Sequence, residues 1–121
     1  MGKRVLVIED HEDNRRILRD LLTSAGYESI EAVTGEEGVA LAETHRPDLI
    51  LMDIQLPGLD GYEATRRIKA NPALRHIPVI AVTSYALSGD EVKAKAAGCD
   101  AYVTKPFSPR ALLAKVREYL P

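Results

Sequence analysis

The chain lacks several features that would mark a secreted, membrane-bound or disulfide-stabilised protein. Its single cysteine, Cys99, excludes an intrachain disulfide and suits a reducing compartment, where we expect it to be a small buried side chain. No apolar run is long enough to span a bilayer, and no long apolar stretch follows the N-terminus as in a secretory signal. We therefore expect a cytoplasmic protein with no membrane partner.

An excess of basic residues is also missing. The chain has 16 Lys and Arg against 18 Asp and Glu, which gives a formal net charge of −2. Proteins that bind nucleic acid usually show a basic excess or a basic stripe. The longest basic runs here are the pairs Arg15-Arg16 and Arg66-Arg67, each inside an amphipathic segment. The charge pattern therefore predicts no nucleic-acid partner.

The 121 residues suffice for one domain, because globular domains cluster near ~100–150 residues. Five short β-branched or aliphatic runs alternate with segments of helical spacing. This alternation predicts a parallel sheet with helices on both faces. Three of the runs are almost entirely apolar, as expected of strands that are covered on both faces. The expected strands are Val5–Ile8, Tyr27–Ala32, Leu49–Met52, Val79–Val82 and Ala101–Thr104.

Local signals mark the ends of the helices. Ser or Thr followed three residues later by Glu fits a capping box, and Ser followed by Pro fits an N-cap with Pro at the first helical position. Glycine is typical just beyond a helix, and Asn-Pro stops one. The expected N-caps are Thr34, Asp60, Ser88 and Ser108, and the expected helix ends lie at Gly26, Asn71 and Gly98.

Right-handed crossovers leave few strand orders for such a sheet. We expect an α/β fold of flavodoxin-like (βα)5 type, with three layers and a five-stranded parallel sheet of order 2-1-3-4-5. In sheets of this order, ligands bind beyond the carboxyl ends of strands one and three, where the strand order reverses.

Polar residues follow four of the strands at that edge. Glu9 and Asp10 follow strand one, Asp53 follows strand three, Thr83 follows strand four and Lys105 follows strand five. Two carboxylates ~4 Å apart repel by about 4 kcal/mol at an effective dielectric constant near 20, so three of them need a counter-ion. Hard oxygen ligands at an open edge suit Mg2+, and no cluster of His and Cys indicates zinc.

The same set of residues favours phosphoryl transfer. Lys105 can neutralise a phosphoryl oxygen as a point charge, and Thr83 can donate a hydrogen bond to another. Catalysis of phosphoryl transfer is mostly positioning and charge neutralisation. Asp53 is the expected nucleophile, because carboxylates do form aspartyl-phosphates.

The whole chain resembles the receiver domains of two-component response regulators. The elements that carry the resemblance are Glu9-Asp10, residues 51–61 (LMDIQLPGLDG), Thr83 and Thr104-Lys105-Pro106. The spacings agree as well, with 30 residues from Asp53 to Thr83 and 22 from Thr83 to Lys105. The resemblance implies that residues 1–121 form one receiver domain, a signalling domain rather than an enzyme.

The resemblance also implies roles for single residues. Asp53 would accept a phosphoryl group from a sensor histidine kinase or a histidine phosphotransfer protein, and Lys105 would contact that group, with a cis bond to Pro106. Asp10, Asp53 and the backbone carbonyl of Gln55 would ligate Mg2+, and Glu9 would act through a water molecule.

The resemblance further implies a conformational switch that passes the signal on to another protein. Thr83 and Tyr102 would form a pair that reports phosphorylation to a downstream protein target. His11, directly after the acid pair, could be a general base, but we expect a loop residue at the first helix turn.

One large DNA-binding subfamily of receivers dimerises through charge pairs on helix four, strand five and helix five. Those positions align here with Glu91 and Ala111, with Ala97 and Lys115, and with Ala101 in place of the usual acid. The pairs are broken, so we expect a monomer or a weak dimer.

Three other functions remain as alternatives. An aspartyl-phosphate phosphohydrolase would carry an acid two residues after the nucleophile, where this chain has Gln55. A flavin-binding domain of flavodoxin type would need a phosphate-cradling loop after strand one, where this chain has acids. A degenerate receiver would lack part of the site, but Asp10, Asp53, Thr83 and Lys105 are all present.

Overall fold

The structure is a computed structural model and describes residues 2–83 and 90–121. Within these ranges, five strands alternate with five helices, as the sequence predicted. The strands are Arg4–Ile8 (β1), Glu28–Ala32 (β2), Leu49–Asp53 (β3), Val79–Thr83 (β4) and Ala101–Thr104 (β5). The helices are Glu12–Ser24 (α1), Gly35–His45 (α2), Gly61–Ala70 (α3), Asp90–Ala97 (α4) and Pro109–Tyr119 (α5). All strands pair in parallel in the order β2-β1-β3-β4-β5, so the expected flavodoxin-like topology is confirmed.

Two strands run one residue further toward the expected site than predicted. Asp53 pairs with Val82, and Thr83 pairs with Thr104, so both polar residues belong to the ladder and not to the loops after it. At the other end, β2 begins at Glu28 and not at Tyr27, because Glu28 is the residue opposite Arg4 in the ladder. The sheet therefore holds the backbones of Asp53 and Thr83 directly.

The side chains of the three central strands alternate between two buried clusters, one on each face of the sheet. Leu6, Ile50 and Ala81 belong to the cluster covered by α2, α3 and α4. Val7 and Leu51 belong to the other cluster, covered by α1 and α5. Strands buried on both faces explain the apolar runs of the sequence, and the three expected layers are confirmed.

Most of the expected helix boundaries are confirmed. The side chains of Thr34, Asp60 and Ser108 accept hydrogen bonds from backbone N–H groups of the first helical turn. Gly26 and Gly98 have positive φ angles of 92° and 107°, which favour glycine at these helix ends. α3 ends before Asn71 as expected, whereas the predicted cap at Ser88 lies outside the described residues. None of the helices in the two described ranges has the length and apolarity needed to cross a bilayer.

Asp100 fastens the amino-terminal ends of β4 and β5, at the end of the sheet opposite the polar residues. Its carboxylate accepts hydrogen bonds from the Val79 N–H at 2.8 Å and from the Lys69 ammonium at 2.9 Å. Its backbone N–H donates to the Val79 carbonyl, and its carbonyl accepts from the Tyr119 hydroxyl. This Asp100 anchor joins α3, α5 and the amino-terminal ends of β4 and β5.

Candidate functional site

The carboxyl ends of β1 and β3 bring together the acids that the sequence singled out. Glu9 and Asp10 follow β1 directly, and Asp53 is the last residue of β3. One potential ligand atom from each of Glu9, Asp10, His11 and Asp53 lies within 4.8 Å of the others. The predicted convergence of these acids is therefore seen.

Glu9 and Lys105 form a close, buried ion pair at this edge. The Glu9 side chain is almost fully buried, and its Oε1 accepts from Lys105 Nζ at 2.9 Å. Its Oε2 accepts from the His11 N–H at 3.0 Å. Burial by itself would raise the pKa of Glu9, but the hydrogen bonds from Lys105 and the His11 N–H lower that pKa to about 2. Glu9 is therefore charged at neutral pH and holds the lysine.

Asp53 is nearly as buried, at 3% exposure, but no cation among the described residues pairs with it as closely. Its Oδ1 accepts from the Gln55 N–H at 3.1 Å, and Lys105 Nζ lies 3.6 Å away, beyond good hydrogen-bond distance. Burial and, next, the negative charge of Glu9 raise the pKa of Asp53 to about 6, because together they outweigh the lowering effects of the Gln55 N–H and Lys105. One lysine thus serves two buried carboxylates unequally.

The start of α3 packs against the backbone of Asp53. A side chain at Gly61 would place its Cβ 2.3 Å from the Asp53 carbonyl oxygen and 2.7 Å from the Ile54 Cα. The Gly61 N–H donates to the Ile54 carbonyl at 3.2 Å. Glycine is therefore needed at position 61, and the helix start fixes the backbone that carries Asp53.

Asp10 has a carboxylate oxygen that is not satisfied by the protein. Its Oδ1 is buried and accepts no hydrogen bond from the described residues. His11 Nδ1 lies 3.2 Å from this oxygen without forming a hydrogen bond, and its hydrogen bond is instead with Glu9 Oε2, at 3.3 Å. Buried polar atoms without a protein partner are uncommon, and they often mark the place where an ion binds. The oxygen and its neighbours therefore fit a divalent cation with oxygen ligands.

Thr83 and Lys105 lie on neighbouring strands, and Lys105 N donates to the Thr83 carbonyl at 2.6 Å. Thr83 is fully buried, and the bond between Lys105 and Pro106 is cis, as the resemblance implied. Tyr102 lies opposite Ala81, two residues before the ladder partner of Thr83, and is partly buried against the core. Residues 84–89, which follow Thr83, lie outside the described residues, so the switch stays a prediction.

Two residues at the site were not anticipated in these positions. The Arg15 guanidinium donates to the Glu9 carbonyl at 2.9 Å and lies 3.6 Å from Glu31 at the end of β2. His11 contacts the acids with its side chain, although its place in the sequence predicted a plain loop residue. Arg15 lies four residues after His11, so both fall on one face at the start of α1, which is the signal that could have located them.

A groove opens beside the lysine. It has a volume of about 520 Å³ and lies between the start of α1 and the segment that joins β5 to α5. Apolar side chains dominate it, and Ile17 is half exposed at its rim. The lining residues are Asn14, Ile17, Lys105, Pro106, Phe107 and Pro109.

The chain is similar to known signalling proteins over almost its whole length. The family model of the response regulator receiver domain matches residues 5–117. The chain is 48% identical to the polar-differentiation response regulator DivK of Brucella anthropi, over 99% of this chain and 98% of that protein.

Solved structures give the same result. The receiver domain of sensor histidine kinase PA1611 from Pseudomonas aeruginosa PAO1, which has a magnesium ion coordinated in the active site cleft, is 38% identical, with a TM-score of 0.92 over 99% of this chain and 98% of that one. The chemotaxis protein CheY4 of Vibrio cholerae is 27% identical, with a TM-score of 0.93 over 98% and 99% of the two chains. This chain therefore belongs to the family of response regulator receiver domains.

Proposed function

We propose that this receiver accepts a phosphoryl group on Asp53, with Mg2+, from a sensor histidine kinase or a histidine phosphotransfer protein, and signals through a phosphorylation-dependent contact with a downstream protein. The observation that carries the proposal is the position of Asp53. It is a buried carboxylate at the end of β3, 3.6 Å from one ammonium and close to two further acids.

The metal would be held by oxygen atoms of the chain. Asp10 would supply the buried oxygen that accepts no hydrogen bond from the described residues. Asp53 and the backbone carbonyl of Gln55 would be the other direct ligands, and Glu9, in the same cluster, would act through water. When bound, Mg2+ neutralises charge on the phosphoryl oxygens. The Pseudomonas receiver with magnesium in its active site cleft supports this assignment.

Transfer forms one bond and breaks another. A carboxylate oxygen of Asp53 attacks the phosphorus of the donor phosphohistidine, the P–N bond breaks, and the electron pair stays on the departing imidazole nitrogen. Lys105 Nζ, already between Glu9 and Asp53, turns to a phosphoryl oxygen. The Thr83 hydroxyl donates to another oxygen. Hydrolysis of the aspartyl-phosphate on the same groups resets the domain, so it promotes only its own turnover.

The groove beside Lys105 is the docking place for the phosphodonor. It joins an apolar wall, formed by Ile17 and Phe107, to the ammonium that faces Asp53. A helix of the donor that lies in this groove would bring its histidine over the acid cluster. In this position the donor helix would gain affinity from apolar contacts, and the acids and Lys105 would stay available for phosphoryl transfer.

The signal is passed on through the surface formed by α4, β5 and α5, away from the groove that receives the phosphodonor. Phosphorylation draws the Thr83 hydroxyl toward the phosphoryl group, and Tyr102 changes its degree of burial. Tyr102 lines a second groove of about 410 Å³ between α4, β5 and α5, so a change of its position alters that surface. A partner that prefers one form of the surface shifts the population.

The chain acts as a monomer or weak dimer without nucleic acid, in the cytoplasm. The charges that could pair across an α4–β5–α5 dimer lie near partners within their own helices instead. Glu91 lies 3.5 Å from Lys95, and Lys115 lies 3.4 Å from Glu118. The net charge of −2 lacks the basic excess that is usual in proteins that bind nucleic acid.

Intact-mass analysis with acetyl phosphate tests the proposal. We expect the wild type to gain one phosphoryl group only with Mg2+, and Asp53→Asn to gain none. Asp13→Asn is the matched control, because Asp13 is an exposed acid in the first turn of α1. Equal labelling of Asp53→Asn would place the phosphorylation elsewhere and refute the assignment.

A further inference from the structure

We propose that His11 is a further ligand of the metal ion, so that this receiver prefers divalent cations that accept an imidazole nitrogen, such as Mn2+, Co2+ and Zn2+, over Mg2+. The inference rests on the metal site of the proposed function. It adds one nitrogen to a set of ligands that otherwise contains only oxygen.

The distances around the imidazole have the spacing of neighbouring metal ligands. Ligands ~2.1 Å from an octahedral metal lie about 3.0 Å apart when adjacent. His11 Nδ1 lies 3.2 Å from Asp10 Oδ1 and 3.3 Å from Glu9 Oε2. Candidate ligand atoms of Asp10, His11 and Asp53 lie within 4.8 Å of one another, so only a small contraction brings them around one ion. Glu9 belongs to the same cluster and would reach the ion through water.

The imidazole does not cap the helix that it begins. His11 is the N-cap of α1, with extended angles of φ −90° and ψ 123°, and its side chain forms no capping hydrogen bond. N-cap side chains usually accept an N–H of the first turn. The His11 ring instead turns to the acids, while its backbone N–H donates to Glu9 Oε2.

The two carboxylate neighbours differ in what else binds them. Lys105 holds Glu9 Oε1 at 2.9 Å, which leaves Oε2 facing the histidine. Asp10 Oδ1 has no hydrogen-bond partner in the described part of the chain. A hydrogen bond from the ring to Glu9 explains one contact but leaves the Asp10 oxygen unsatisfied. A cation bound by the ring nitrogen and by Asp10 Oδ1 explains both.

The chemistry of the ligand determines the selectivity. Mg2+ is a hard cation that prefers oxygen and retains water, whereas imidazole suits later first-row ions. An added nitrogen therefore raises affinity for Mn2+ slightly and for Co2+ and Zn2+ more strongly, in the usual order of these ions.

Calorimetric titration of the full chain with Mg2+ and with Co2+ measures the preference. His11→Asn is the chosen variant, because Asn is a favoured N-cap and substitutes an amide oxygen for the ring nitrogen. We expect His11→Asn to weaken Co2+ binding by roughly tenfold or more, the effect seen even for residues that only orient ligands. The Mg2+ affinity should change by much less. His76→Asn, at an exposed position before β4, is the matched control.

A spectroscopic measurement separates ligation from an indirect effect. Pulsed electron paramagnetic resonance of the Mn2+-loaded wild type should show coupling to one 14N nucleus that is lost in His11→Asn and kept in His76→Asn. An unchanged ratio of Co2+ to Mg2+ affinity in His11→Asn, or a 14N coupling that survives the substitution, would overturn the inference.

Failure of the metal site and failure of the His11 role give different results. If the wild type binds neither Mg2+ nor Co2+, or if Asp10→Asn binds both as well as the wild type does, the metal site of the proposed function is wrong and the inference about His11 falls with it. If Asp10→Asn loses both ions but His11→Asn retains the wild-type preference, the phosphoacceptor site stands and only the role of His11 is refuted.

Discussion

Asp53 should destabilise the metal-free protein at neutral pH, so its replacement by Asn should raise the free energy of unfolding. The rise of the Asp53 pKa from its ordinary 3.8 to about 6 corresponds to about 3 kcal/mol, because a tenfold change in proton affinity is worth about 1.4 kcal/mol. This value is an upper limit. The Asn side chain keeps the hydrogen bond from the Gln55 N–H, but Lys105 loses one of its two carboxylates.

The dependence of stability on pH shows whether Asp53 stabilises or destabilises the fold. An acid with a raised pKa favours folding while it is protonated, so its contribution is complete below about pH 4 and is lost as the pH rises through about 6. Glu9 has the opposite effect on stability. Because its pKa is lowered, its contribution grows as the pH rises from about 2 to the ordinary pKa of 4.5. Between pH 4.5 and 6 the difference between Asp53→Asn and the wild type therefore reports Asp53 alone and should grow with pH.

Urea denaturation of wild type, Asp53→Asn and Asp13→Asn with chelator, at pH 4.5 and pH 7, measures this difference. A gain near the upper limit would raise the melting temperature by roughly 10 °C for a domain of this size. Saturating Mg2+ should stabilise the wild type and have much less effect on Asp53→Asn, since ligands stabilise only the state that binds them. A variant that is less stable than wild type at pH 7, together with a wild type that ignores Mg2+, would refute the electrostatic reasoning.

Three further outcomes follow from neighbouring contacts. Lys105→Met should lower the free energy of unfolding by about 3–5 kcal/mol, because it leaves the buried Glu9 carboxylate without its cation. Adding Glu9→Gln should restore most of that loss when the variants are compared by urea denaturation. A double variant that is no more stable than Lys105→Met would contradict the pairing. Gly61→Ala should lower the melting temperature, because the new Cβ would lie 2.3 Å from the Asp53 carbonyl oxygen. A melting temperature equal to that of the wild type would show that α3 can shift to relieve this clash. Thr83→Ala and Tyr102→Ala should each reduce the change in partner affinity caused by beryllofluoride, a mimic of the phosphoryl group, and a full change in both would exclude this pair as the switch.

The sequence predicted the sheet and its polar edge because both depend on local patterns. Apolar runs such as Leu49–Met52 are characteristic of strands covered on both faces, and the parallel order then brings the ends of β1 and β3 together. The positions of Asp10 and Asp53 at one edge follow from chain order and strand order alone. No knowledge of side-chain geometry is needed for that step.

The unequal pKa values of the two buried acids, Glu9 and Asp53, could not be predicted from the same sequence pattern. Lys105 pairs with Glu9 at 2.9 Å and approaches Asp53 only to 3.6 Å, and this difference depends on side-chain conformations across β1 and β5. The contact of His11 with the acids likewise depends on where α1 starts. Spacing along the chain specifies which residues share an edge, but packing decides which atoms meet.

The Asp100 anchor limits the kind of motion that the output face can make. Its two hydrogen bonds with Val79 fasten β4 to the start of β5, and its hydrogen bond from Lys69 ties both to α3, at the end of the sheet away from Asp53. A strand fastened at one end cannot slide along its neighbour without breaking that end. The rearrangement proposed for Thr83 and Tyr102 would therefore be a pivot about Asp100, with displacement growing along β5 toward Lys105. The largest movement then falls on Lys105 and Pro106, which line the groove beside α1, whereas Tyr102, in the groove between α4 and α5, lies nearer the pivot and moves less.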